Sequence, residues 1–219
     1  MIVLHDVWKR FPRGSVVAQG ISAVFPSGQA TALLGGNGAG KSSLLAMMAG
    51  TLRPDAGHVL RAGRVSWPVG LAGAFHPDLT GAQNTRFVAR VYGVDSAALV
   101  GFVRDVSGLG AAMGQPVRQY SSGMRARLGF ALSMGIPFEF YLVDEVTAVG
   151  DAAFRRETAA LLKARLGQAG VIVVSHAPAQ LRAICTAGAV LQDGRLRMYD
   201  DLDAAIAVHE AELRVGAPG

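Results

Sequence analysis

Cysteine is nearly absent: Cys185 is the only one in 219 residues. No disulfide framework can form within the chain, and a reducing cytosolic compartment suits it. Long apolar runs are also missing, and none approaches the ~18 residues that a membrane span needs. The opening MIVLHDVWKR lacks the basic-then-apolar layout of a secretion signal. No internal repeat, low-complexity tract or proline-rich linker breaks the chain. Acidic residues are the scarcer charge, 16 against 21 Lys and Arg, so the chain carries +5. That excess favours an anionic partner, whether nucleotide, membrane surface or nucleic acid, and does not choose among them. What is present is a hydrophobic share of 51% and 28 glycines, which fits a folded α/β chain. Its length allows one large domain, or a domain with a subdomain inserted in it.

Short apolar runs separated by turn residues predict strands at IVLHDVW, ISAVF, ATALL and RVSWP. After ATALL comes a glycine-rich turn, then a helix, KSSLLAMMAG, closed by Gly50 with Pro54 just beyond. From about Gln83 to Gly135 the pattern is helical, with TRFVARVYG and AALVGFVRDVSGLG carrying apolar residues three to four apart. Strands resume at FEFYLVDE, VIVVSH, AVLQDG and RLRMY, with DAAFRRETAALLKARLG as a helix among them. The tail predicts a short helix and a frayed end. Together these patterns predict an α/β core interrupted by a helical insert.

Residues 35–43, GGNGAGKSS, hold G-x-x-x-x-G-K-S directly after a strand and directly before a helix. Glycines in such a turn let backbone N–H groups face phosphate oxygens, and the helix start adds positive partial charge. The expected cradle is Gly35, Asn37, Gly38, Ala39, Gly40, Lys41, Ser42 and Ser43. Lys41 would reach the β- and γ-phosphates and the Ser42 hydroxyl would ligate Mg²⁺. A glycine-rich turn that binds nothing is the plain alternative, but it does not require all three positional features. The strand FYLVDE then supplies Asp144, placed to hold Mg²⁺ through water, and Glu145, placed to polarise an attacking water. An acid pair there also suits helix capping, and it is the coupling to the cradle that favours chemistry. His176 ends the strand VIVVSH, where ligands of open α/β sheets collect, and could donate to the γ-phosphate. His5, His58 and His209 have no such setting and read as ordinary polar residues. In YSSGM, residues 120–124, small hydroxyl residues open a basic helix, RARLGFALSM. Ser121 or Ser122 could simply cap that helix. A cap whose N–H groups stay available is also an anion site.

Taken in order, GGNGAGKSS, YSSGM, FYLVDE, TAVGD and VSH resemble the motifs of ABC-type ATPases along essentially the whole chain. That resemblance implies a P-loop NTPase core, a RecA-like mixed sheet with an antiparallel β-subdomain, and an inserted helical subdomain. The implied division of the single 1–219 domain is a core of 1–75 and 136–219 with helices in 76–135. YSSGM is similar to the family signature, usually Leu-Ser-Gly-Gly-Gln, which reads the γ-phosphate held by the other copy of a dimer. By this resemblance Ser121, Ser122 and Gly123 contact ATP in trans. Phe11 stacks on adenine, with Trp8 as fallback, and Asp151 communicates across the dimer, although it could equally cap the next helix. The chain departs from the pattern at Ser122 and Met124, which replace Gly and Gln. Ser43 stands where threonine is usual. His76 sits nearest the glutamine that usually touches Mg²⁺ and the transporter.

The strings SWP, LTGAQNTRFVARVYG and YLVDEVTAVGDAAFR are similar to the ATPase subunits of polysaccharide exporters, above all the short capsule-export group. Related O-antigen and teichoic acid exporters share parts of them, and the early end of this chain favours the capsule group. The resemblance implies ATP and Mg²⁺ as cofactors and a homodimer on the cytoplasmic face of the inner membrane. It also implies a separate permease, in two copies, through which a lipid-linked polysaccharide passes. A soluble ABC ATPase acting on nucleic acid or ribosomes is the alternative, motivated by the positive charge. No nucleic acid is expected, because the basic residues are scattered and not interleaved with aromatics. A P-loop GTPase or kinase would lack the signature.

Overall fold

A computed structural model describes residues 1–12, 14–69, 75–144, 152–175 and 177–215. Glu145, Asp151 and His176 lie outside the described residues. The chain divides into two compact units. The first comprises the described residues within Met1–Pro68, Phe138–Glu145 and Gln168–Gly219, and the second those within Val69–Pro137 and Val146–Gly167.

Two sheets build the first unit. Strands β1 (Ile2–Arg10), β2 (Val16–Phe25) and β4 (Ala56–Arg61) form an antiparallel sheet in the order β2-β1-β4. The second sheet has six strands: β3 (Ala30–Leu34), β5 (Val65–Val69), β6 (Phe140–Asp144), β7 (Gly170–Val174), β8 (Ala187–Gln192) and β9 (Arg195–Tyr199). Their order is β5-β6-β7-β3-β8-β9. It is a mixed sheet, because β6, β7, β3 and β8 run parallel and β9 returns antiparallel to β8. Every residue of β7 is buried, as a central parallel strand requires, hence its unbroken GVIVV.

Helix α1 (Lys41–Ala49) is apolar beyond its polar first turn, and Leu44, Leu45, Met47 and Met48 are all buried. They join Ile2, Leu4, Phe25, Phe140, Ile172 and Leu191 in one core cluster drawn from both sheets. Cys185 is buried as well, which pushes its thiol up to about 12.

The second unit is helical: α2 (Gly81–Tyr92), α3 (Ser96–Ser107), α4 (Ser122–Gly135) and α5 (Ala152–Leu166). Helix α2 begins with a capping box in which Thr80 and Gln83 exchange side-chain and backbone bonds. Phe130 of α4 and Phe154 of α5 meet edge to face, and Arg127 lies over the Phe154 ring. The first unit also carries α6 (Pro178–Ile184) and α7 (Leu202–Val215).

Most elements fall where the sequence predicts, with three differences, two in strands and one in a helix. β4 is an additional strand; only Val59 of it is partly buried, so it carries no alternating signal. β2 starts earlier than ISAVF, because residues from Val16 onward pair with β1. The tail helix α7 has 14 residues and is not short.

Candidate nucleotide-binding site

Strand β3 ends at Leu34 and α1 starts at Lys41, so residues 35–40 make the reversal between them. Gly40, at φ 100°, is the residue before α1. A Cβ there would come within 2.7 Å of Val17 Cγ1, so both the backbone angle and the space require glycine. No side chain caps α1 at this end. The Lys41 ammonium folds back over the turn and donates to Gly35 O at 2.7 Å and Gly36 O at 3.0 Å. At the far end of α1, Arg61 donates from Nε to Met48 O and from Nη2 to Met47 O, each at 2.5 Å. A guanidinium on those last carbonyls complements the negative end of the helix dipole and fixes the helix behind the turn.

Asp144 ends β6, beside Val174 of β7. The Ser42 hydroxyl donates to Asp144 Oδ2 at 3.4 Å, joining two segments 102 residues apart. Both face a cavity of about 370 Å³ that is also lined by Phe11, Asn37, Lys41 and Ser43. Gly38 and Gly40 line it too, while Gly35 and Ala39 line an adjoining hollow with His209 and Leu213 of α7. The cavity therefore presents an aromatic ring, an ammonium, a turn of backbone N–H groups and a hydroxyl paired with a carboxylate. That set can hold the ring, the phosphates and a hard cation of a nucleotide. Phe11 is partly buried, with Lys9 Nζ 5.6 Å from its ring centre. Trp8 instead directs its indole N–H to Asp6 Oδ1 at 2.9 Å.

Ser121, Ser122, Gly123 and His76 belong to the second unit. Ser121 is the N-cap of α4, and its Oγ accepts from Met124 N–H at 3.2 Å. His76 is exposed, and its Nδ1 accepts from Asp78 N–H at 3.3 Å. In the neutral ring that bond leaves Nε2 as a donor, which suits a water or phosphate oxygen better than a metal ion. Arg61 and Tyr120 escaped the sequence reading. A lone Arg on an edge strand carries no pattern, and Tyr120 figures in the sequence only as the first residue of YSSGM.

The glycine turn, the helix behind it and the carboxylate at the end of the neighbouring strand define a P-loop nucleotide-binding protein of the open α/β class. The ABC transporter family profile matches residues 18–148, and the chain belongs to that family. The polysialic acid transport ATP-binding protein KpsT of Escherichia coli is 40% identical over 219 residues, spanning 97% of this chain and 100% of the relative. The capsule polysaccharide export ATP-binding protein CtrD of Neisseria meningitidis serogroup B is 38% identical over 208 residues, spanning 94% and 96%. Among solved structures, an ATP binding subunit of an ABC transporter superposes with a TM-score of 0.82. That match covers 98% of this chain and 99% of the other at 18% identity, a likeness of fold.

Proposed function

We propose that this chain is the ATP-hydrolysing subunit of an exporter that moves a lipid-linked, capsule-type polysaccharide across the cytoplasmic membrane. The observation that carries the reading is full-length similarity at 38–40% identity to the ATP-binding subunits KpsT and CtrD. The nucleotide cavity supplies the chemistry. Adenine stacks on Phe11, and the triphosphate follows the turn from Asn37 to Ser43. Lys41 Nζ, now on the carbonyls of Gly35 and Gly36, turns to the β- and γ-phosphates. Ser42 and Asp144 would hold Mg²⁺, the hydroxyl directly and the carboxylate through water. When bound there, Mg²⁺ offsets charge on the phosphates. Glu145, which directly follows Asp144 in sequence, polarises the attacking water, and His176 donates to the γ-phosphate.

Ser121, Ser122 and Gly123 of one copy meet the nucleotide held by a second copy, and Asp151 links the two copies. Among the described residues no helix is long and apolar enough to cross a membrane, so a separate permease, in two copies, provides the path. The dimer works as a peripheral assembly on the cytoplasmic face of the membrane. Residues 76–92 meet the permease. In support, Phe87 and Val91, one turn apart on α2, are 62% and 63% exposed.

Glu145→Gln in the native host tests the reading. Turnover by the purified chain falls by about a hundredfold or more. Surface polysaccharide disappears while lipid-linked glycan accumulates inside. Unchanged surface glycan would sink the export assignment and leave the ATPase.

A further inference from the structure

In the helical unit, residues 76–81 and 116–121 lie side by side. Val117 N–H donates to Leu79 O and Arg118 N–H to Pro77 O, both at 2.9 Å. Thr80 and Pro116 form a β-bridge, and Arg118 Nη1 meets Asp78 Oδ1 at 2.6 Å. Two residues further on, Tyr120 is only 3% exposed, so its hydroxyl must find a protein partner. It donates to Ala112 O at 2.6 Å, in the short 3₁₀ turn Gly110–Gly114. A Cβ on Gly81, the first residue of α2, would lie 2.4 Å from that same hydroxyl oxygen, so the phenol occupies the space that glycine leaves. The backbone of Tyr120 is held as well. Its N–H donates to Val117 O at 3.0 Å, and its carbonyl accepts from Arg125 Nη1 at 2.7 Å. A leucine, usual at this place in the signature, would fill the pocket but make no hydroxyl bond. Burial raises the Tyr120 phenol above its ordinary value, and a backbone bond with Gly81 lowers it by less, so the group stays a donor at neutral pH.

We propose that Tyr120 is a positioning residue for ATP hydrolysis: its hydroxyl, bonded to Ala112 O beside Gly81, and the Arg125 bond to its carbonyl fix the Ser121 turn, which the Val117 and Arg118 backbone bonds join to residues 76–81, so that the two segments move as one block. The proposal rests on the reading of Ser121 as a phosphate contact. The block has a simple physical basis. The phenol spans from α2 to the 3₁₀ turn, and the residue carrying it immediately precedes Ser121. A shift of the exposed His76 turn therefore reaches Ser121 through bonded neighbours, with no loose link between.

The test uses the purified full-length chain and the variants Tyr120→Phe, Arg125→Ala and Ser121→Ala. Affinity for a fluorescent ATP analogue and steady-state hydrolysis are measured for each. Tyr120→Phe keeps the ring and loses one buried hydrogen bond, so kcat falls about five-fold while nucleotide affinity stays within about two-fold. Arg125→Ala repeats that split between kcat and affinity. If Ser121→Ala loses more than about ten-fold while Tyr120→Phe stays within about two-fold, the positioning role is overturned and the signature reading stands. If Ser121→Ala turns over ATP at the wild-type rate, the signature reading falls and the positioning role with it. If Tyr120→Phe loses affinity and kcat in parallel, Tyr120 supports the fold in general, and the proposal is again overturned.

Discussion

The starts of α1 and α4 are built in opposite ways. At α1 the preceding residue is Gly40, which has no side chain to cap with, at a backbone angle only glycine adopts comfortably. At α4 the preceding residue is Ser121, whose hydroxyl already accepts from Met124 N–H. The first start depends on glycine geometry and leaves its capping place to a ligand. The second satisfies itself and keeps one proton, that of the Ser121 hydroxyl, to offer outward. A self-capped start holds its shape whether or not an anion is present, whereas an uncapped one gains most when the anion arrives. The α1 start thus has more to gain from an anion than the α4 start, which already holds its own cap.

The largest effect should come from Lys41→Ala, which removes the ammonium that bonds Gly35 O and Gly36 O over the turn. Equilibrium binding of a fluorescent nucleotide should weaken by about a hundredfold, the scale of lost charge-assisted hydrogen bonds. Retained affinity would break the comparison by making the signature turn the main anchor. A matched pair of substitutions sharpens it. Gly40→Ala forces a Cβ to 2.7 Å from Val17 Cγ1 at a left-handed φ, and should cost about 1–3 kcal/mol in urea unfolding. Gly123→Ala in α4 meets nothing nearer than Ser121 Oγ at 3.9 Å, and should leave stability unchanged or raise it by about 0.4–1 kcal/mol. Equal losses at both positions would mean that the two starts are not built differently.

The smallest effect concerns the support beneath Phe11. Lys9 Nζ bonds Asp55 Oδ1, and Arg10 N–H bonds Asp55 Oδ2, both at 2.7 Å; together they hold the carboxyl below its usual range. A depressed carboxylate stabilises the fold above its unfolded value of about 4, and that contribution is lost as pH falls further through the folded value. Urea midpoints between about pH 6 and 3 should therefore fall slightly more steeply for the native chain than for Asp55→Asn. Identical slopes would remove Asp55 from the account.

Much of the P-loop pocket was legible because its chemistry fixes local sequence. A strand, a turn rich in glycine and a lysine-led helix must be contiguous, so ATALL-GGNGAG-KSSLL announces itself. Asp144 was legible for a related reason: an acid closing four apolar residues marks the end of a buried parallel strand. β4 was not legible, because its AGHVLR is largely exposed and its place is set by pairing with β1, some 50 residues away. Arg61, in that same strand, was lost with it. Tyr120 was not legible as an anchor, because its partner is the backbone carbonyl of Ala112 and carbonyls have no sequence signature.

The buried Cys185 gives the chain a practical property. At neutral pH its thiol is almost wholly protonated and enclosed, so maleimides and iodoacetamide find little to attack in the native fold. The wild-type background is chemically quiet. A single cysteine introduced on the surface, at Phe87 or beside Ser121, would carry a probe or a cross-link to one known place. The motions inferred for the helical unit could then be followed optically in an otherwise native molecule.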